Sequence, residues 1–312
     1  SGFMGLGGAC DSTPSFPMNL IAPIGTSQLM HAQLLWIVSP IGHDALEDRM
    51  IEEIRSRSNQ WIKKALQLKQ RKYRQAYGMF LMEGLRSVED ALRQGMKACT
   101  CFFTENQLEN ERFKALMKEG EALSWRFLKL DEGLMKLISG TQHGQGIMLL
   151  ASKKKRDIEE LMHPLEGYYV LLDAVQDPGN MGTILRSAAA AGVKAVLLTK
   201  GCTDPFAEKA VRSSMGSILR VPVYEDLTVD EISLLREKSG LALYGTALSH
   251  AVPYKTVGEI RKGIFVFGNE GNGIREELLA MTDMNLYIPL AGTVESLNVS
   301  VAAAVILFQF IE

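Results

Sequence analysis

From Tyr168 onward the chain alternates short apolar runs with stretches of helical spacing. YYVLLDAV leads to a helical pattern ending at Gly192, AVLLTKG to a helix from Pro205, and VPVYED to a helix near 229–239. LALYGTAL, GIFVFGNEG and MNLYIPL follow, with helices from Ile274 and Leu297. Runs this continuously apolar belong to strands buried on both faces, and joining them through helices predicts a parallel sheet. From about Ile51 to Ser152 the signals are shorter. Helical patterns cover 51–77, 83–94 and 107–120, strands fall near 99–104 and 125–130, and the glycine-rich turn GTQHGQG runs into the strand IMLLAS. The expected organisation is a smaller α/β domain over 50–152, a charged linker over 153–166 and a parallel α/β domain over 167–312. SGFMGLGGACDSTPSFP cannot build a core, so residues 1–49 read as a leader, disordered or non-native, ahead of a natural start at Met50.

Composition narrows the picture only where it is uneven. A net charge of −2 over 312 residues argues for no partner by itself. From Ile54 to Met82, however, there are eight basic residues and no acid, interleaved with Trp61, Tyr73 and Tyr77. Such a segment suits phosphate contact and stacking on an unpaired base, although a plain solvated helix face has the same pattern. Lys69, Arg71, Lys72 and Arg74 are the RNA-contact candidates, and Lys153–Arg156 is a second basic cluster. The four cysteines, Cys10, Cys99, Cys101 and Cys202, form no CxxC pair, which leaves reduced thiols in a cytoplasmic protein as the expectation and no metal. The longest apolar run, Val299 to Phe308, is about half of the ~20 residues a membrane span requires.

Three polar interruptions fall where strands end, the edge at which open α/β sheets bind ligands. In DAVQDPGNMGTILRSAAAAG, Asn180 reads as a helix N-cap, and Arg186 can lean back toward the loop. In FVFGNEGNGI, three glycines alternate with Asn269, Glu270 and Asn272 and allow a close approach to the backbone. Its order, GxxGxG, is not the GxGxxG of a dinucleotide site, which counts against an oxidoreductase. In IPLAGTVESLNVSVAAAVILFQF, the polar group Glu295, Ser296, Asn298 enters a helix apolar on nearly every face. Ser296 could be no more than its N-cap, and Ser300 a core hydroxyl bonded to its own backbone. A helix so apolar needs a second surface to bury it, which predicts a homodimer.

Taken in this order, the three stretches resemble the signature motifs of the SpoU (TrmH-like) RNA ribose 2′-O-methyltransferases of the SPOUT superfamily, over about residues 168–312. GLRSVEDAL and TQHGQG are similar to that family's ribosomal-protein-like substrate-binding domain. The resemblance implies a sheet with a deep trefoil knot, an exception to the un-knotted rule. It also implies S-adenosylmethionine (SAM) as cofactor and a 2′-hydroxyl of structured RNA as acceptor, with ribosomal and transfer RNA both open and ribosomal RNA favoured. By motif position, Gly268, Ile288 and Leu297 would line the SAM pocket, with Thr246 a further contact. Arg186 would be the catalytic arginine, and Asn180, Glu270, Ser296 and Asn298 the other active-site positions. Because arginine stays protonated in nearly every protein setting, gripping a phosphate and stabilising a developing alkoxide is an easier task for Arg186 than acting as a base. A non-catalytic RNA-binding or assembly factor with the same fold is the alternative.

Overall fold

The computed structural model describes residues 51–139, 144–294 and 296–311. The expected leader, His143 of the TQHGQG turn and Glu295 lie outside the described residues.

The first half begins with β1 (Ile51–Ile54), α1 (Gln60–Gln67), α2 (Arg71–Tyr77), β2 (Met79–Glu83) and α3 (Leu85–Arg93). It continues with β3 (Thr100–Phe103), α4 (Glu111–Ala122), β4 (Arg126–Leu130), α5 (Glu132–Ser139) and β5 (Ile147–Ser152). The strands form one sheet in the order β1-β4-β3-β5-β2. The helix expected over 51–77 is instead a strand and two short helices. Ile51–Ile54 pairs in parallel with Phe127–Leu130, so the ladder overrides a weak helical spacing. The Asn59 side chain then starts α1 by accepting the Trp61 N–H, and Gly78 ends α2 in the left-handed conformation. β2 and α5 were not foreseen: MFLME has no alternation and becomes a strand through antiparallel pairing with β5.

After a 3₁₀ turn at Ile158–Leu161, whose ends pack into the core of the second half, come β6 (Tyr168–Leu172), α6 (Pro178–Ala190), β7 (Ala195–Thr199), α7 (Glu208–Ser214) and β8 (Val223–Leu227). Next are α8 (Val229–Ser239), β9 (Leu243–Thr246), β10 (Ala251–Pro253), β11 (Gly263–Phe267), α9 (Glu276–Leu279), β12 (Met284–Tyr287) and α10 (Val299–Phe310). All seven strands are parallel, in the order β10-β12-β9-β11-β6-β7-β8. Strand order reverses between β6 and β11, so the loops leaving these two neighbours flank the crevice where such sheets bind ligands. α6 and α7 meet closely at Gly182, where a Cβ would run into Ala210 O and Ser213 Cβ. α10 returns across the middle of the sheet and stacks Phe310 on Phe265 of β11, with ring centres 5.7 Å apart.

The two halves are joined through charge and aromatic contact. Arg74 pairs with Asp204 at 2.7 Å, both side chains nearly inaccessible, and also donates to Leu68 O. Lys153 pairs with Glu225 and covers the Phe206 ring, which meets Phe80 edge-on. Arg71 reaches Asp226, while Arg212 and Arg220 reach back to Glu83 and Asp90. The assignment of Arg74 to RNA contact is therefore corrected. A buried guanidinium needs a carboxylate partner, and here that partner is Asp204 in the other half of the chain.

Candidate active site

The site grows from the ends of β6, β9, β11 and β12. At the end of β6, Asp177 rather than Asn180 caps α6: its carboxylate accepts the Asn180 N–H at 2.9 Å, and Pro178 supplies the first helical φ. This corrects the sequence reading. It also leaves the Asn180 amide free, in the first turn of the helix, to face the other loops.

The β11 loop is a closed turn. Asn269 and Gly273 exchange backbone hydrogen bonds, and Asn269 Oδ1 accepts the N–H groups of Gly271 and Asn272. A side chain at Gly268 would collide with the Gly273 and Ile274 backbone, so only glycine allows the turn to close. The third loop ends where Asn298 caps α10, its Oδ1 accepting both the N–H and the hydroxyl of Ser300. Neither Ser296 as N-cap nor Ser300 bonded to its own backbone is what forms.

These loops are tied to one another. Asn180 Nδ2 donates to Glu270 Oε1 at 3.0 Å, and Asn298 Nδ2 donates to Asn180 Oδ1 at 2.9 Å. Glu270 also accepts the Gln176 and Asp177 N–H groups, at 3.2 and 3.1 Å. Partial burial works to raise the Glu270 carboxyl, but the Asn180 amide and backbone N–H groups outweigh it and hold the group below its ordinary value of 4.5. Glu270 is thus ionised at neutral pH and ties the β11 loop to the β6 loop, while Asn180 carries the link on to Asn298.

Beside this network lies a cleft of about 660 Å³, within the range of small-molecule sites. Thr246, Gly268, Ile288, Ser296 and Leu297 all line it, together with Glu270, Asn298 and the α10 residues Ala302 and Ile306. Apolar walls set among main-chain groups of the β9, β11 and β12 loops fit a ligand with a flat heterocycle and a polar edge, as an adenosine has. Sequence reasoning did not find the contribution of α10, since helical spacing shows which face is apolar and not what that face covers.

Arg186 stands apart. It is exposed on α6, six residues and about 9 Å of helix axis beyond Asn180, with no hydrogen bond or ion pair among the described residues, and it is not part of the cleft wall. Of the remaining RNA-contact candidates, Lys72 is exposed over the Tyr73 ring, Lys69 donates to Leu137 O, and Arg71 holds Asp226. Among the described residues no cluster of three or more His, Cys, Asp or Glu could hold a metal ion, and no helix is long and apolar enough to cross a membrane.

An all-parallel sheet whose loops close a small-molecule cleft at the strand ends, behind a smaller α/β domain, defines a two-domain α/β protein of the ligand-binding type. Its solved neighbours carry the same fold. The AdoMet-bound rRNA methyltransferase from Sinorhizobium meliloti matches at TM-score 0.74 and 31% identity, over 83% of this chain and 97% of that one. The SpoU methyltransferase AviRb from Streptomyces viridochromogenes, in complex with AdoMet, matches at TM-score 0.72 and 23% identity, over 80% and 96%. Residues 167–308 match the SpoU rRNA Methylase family, and residues 59–149 the MRM3-like substrate binding domain. The 23S rRNA (guanosine(2553)-2′-O)-methyltransferase of Bacillus subtilis is 33% identical over 260 residues, spanning 83% of this chain and 99% of that protein. The chain belongs to the SpoU rRNA methylase family.

Proposed function

We infer that this protein transfers a methyl group from SAM to a ribose 2′-hydroxyl of ribosomal RNA. The observation that carries this reading is the Asn180–Glu270–Asn298 network set at the edge of the cleft, in a chain of this family. When bound, SAM supplies an activated methyl group on a sulfonium. Thr246, Gly268, Ile288 and Leu297 would hold it, largely through apolar contact and main-chain groups. Asn180, Glu270, Ser296 and Asn298 hold the acceptor nucleotide and exclude water around it. A ribose hydroxyl is a weak nucleophile, so positioning is the larger share of the catalysis.

Arg186 completes the site from a second copy of the chain. Its unpaired guanidinium supports this reading, as does the solvent-facing apolar side of α10, where Val301 and Phe308 are 48% and 57% exposed. The return of α10 across β11 after β12 supports the trefoil knot. RNA is bound by Lys72 and its neighbours on the first domain. The described cysteines, Cys99, Cys101 and Cys202, are free thiols, in keeping with the cytoplasm.

The test is incubation with labelled SAM and unmodified ribosomal RNA, followed by mapping of the linkage that becomes resistant to alkaline cleavage. RNA binding without methyl transfer would favour the non-catalytic factor instead.

A further inference from the structure

Behind the site lies an ion pair that the steps above do not use. Asp173, 1% exposed, follows the last residue of β6. Its Oδ1 accepts Arg275 Nε at 2.8 Å and the Thr199 hydroxyl at 3.0 Å, with Arg275 Nη2 at 2.6 Å. Its Oδ2 accepts the Arg275 backbone N–H at 2.8 Å. Arg275 Nη2 reaches on to Lys200 O, at the end of β7. The Thr199 hydroxyl in turn accepts the Ala174 N–H, and Ala174 O accepts Asn269 Nδ2 at 2.8 Å.

Arg275 is the residue immediately after the glycine turn, and Asp173 opens the loop that carries Asn180. The turn is therefore held at both ends: at its start by Asn269 on Ala174 and Glu270 on the Gln176 and Asp177 N–H groups, and at its end by Arg275 on Asp173. A carboxylate this buried is costly unless paired, so its four short contacts are directional constraints and not a loose surface attraction. A planar guanidinium, unlike an ammonium, fixes angle as well as distance.

The geometry points to Asp173 and Arg275 as positioning residues for methyl transfer. The pair sets the spacing between the β6 and β11 loops, and so places Glu270 and the Gly268–Ile274 wall of the cleft in one step. This rests on the reading of the cleft as the SAM site.

The experiment compares wild type, Arg275→Ala, Arg275→Lys and Asp173→Asn in SAM calorimetry, steady-state transfer to ribosomal RNA, and RNA affinity, well below each unfolding midpoint. Arg275→Ala is expected to raise the SAM Kd and lower kcat/KM for SAM on the order of tenfold to a hundredfold, the factor given by losing charge-assisted hydrogen bonds. RNA affinity should stay within about twofold, and Arg275→Lys should recover part of the loss because it keeps the charge without the fork. If Asp173→Asn does not fold, the two Arg275 variants carry the test. Wild-type SAM affinity and kinetics in Arg275→Ala, with only a lower unfolding midpoint, overturn the proposal. A wild-type protein that neither binds SAM nor transfers methyl overturns the functional reading beneath it.

Discussion

Asn180 shows how one side chain can be read as a cap and take a different place in the structure. Its position before a helix suggests a cap, yet Asp177 takes that role and frees the Asn180 amide to bridge Glu270 and Asn298. Asn180→Ala removes both links and is expected to lower the transfer rate by about tenfold or more, with SAM affinity changed far less, in single-turnover assays. Arg186→Ala is expected to abolish transfer while leaving SAM binding intact by calorimetry; loss of SAM affinity would place Arg186 in the donor pocket instead. The Glu270 carboxyl sits below its ordinary value of 4.5. A depressed folded value means that its contribution is complete above the ordinary carboxylate range and disappears as pH falls below it. The pH–rate profile should accordingly show no Glu270 inflection between about pH 6 and 9, and a loss of activity in acid.

The glycine turn and the basic helices behave as units. In the turn, Gly268→Ala forces a methyl group into the Gly273–Ile274 backbone, an overpacking worth about 1–3 kcal/mol. The expected outcome is a weakened SAM site with little change in the unfolding midpoint, because the strain can be relieved by opening a surface loop. Calorimetry alongside thermal unfolding separates the two. α1 and α2 read in sequence as one basic face, but folding divides their charges by task. Lys72→Ala is expected to lower the slope of log affinity for RNA against log salt by about one. Arg74→Ala should leave that slope alone and cost about 3–5 kcal/mol of stability by stranding Asp204, visible in denaturant unfolding.

Across the described residues, ion pairs join the half that matches a substrate-binding domain to the cleft-bearing half at fixed points, so an RNA bound as proposed would be presented to the cleft at a set distance. In the proposed dimer, the exposed Val301 and Phe308 on α10 would lie at the interface. Phe308→Glu is expected to yield a monomer in sedimentation and, if Arg186 serves across the interface, to lose transfer while remaining folded. An active monomer would sink that arrangement.

Much of this protein was legible along the chain. The central strands β6, β7 and β11 announce themselves because both faces are buried, so apolar runs persist without interruption, whereas β10 and β12 toward one edge are half-exposed and read less plainly. The three polar stretches stand out because strand ends are where backbone groups need turns, caps and glycines, all short-range demands. The sequence by itself therefore determined the parallel sheet, the order of the motifs and the family they resemble. What it could not carry was the choice of partners. β1 became a strand only by pairing with β4, Arg74 became structural only because Asp204 lies opposite, and the Asp173–Arg275 pair spans residues far apart in order. Only the tertiary structure decided these, because the burial of a charge or an amide is fixed by which distant group arrives to satisfy it.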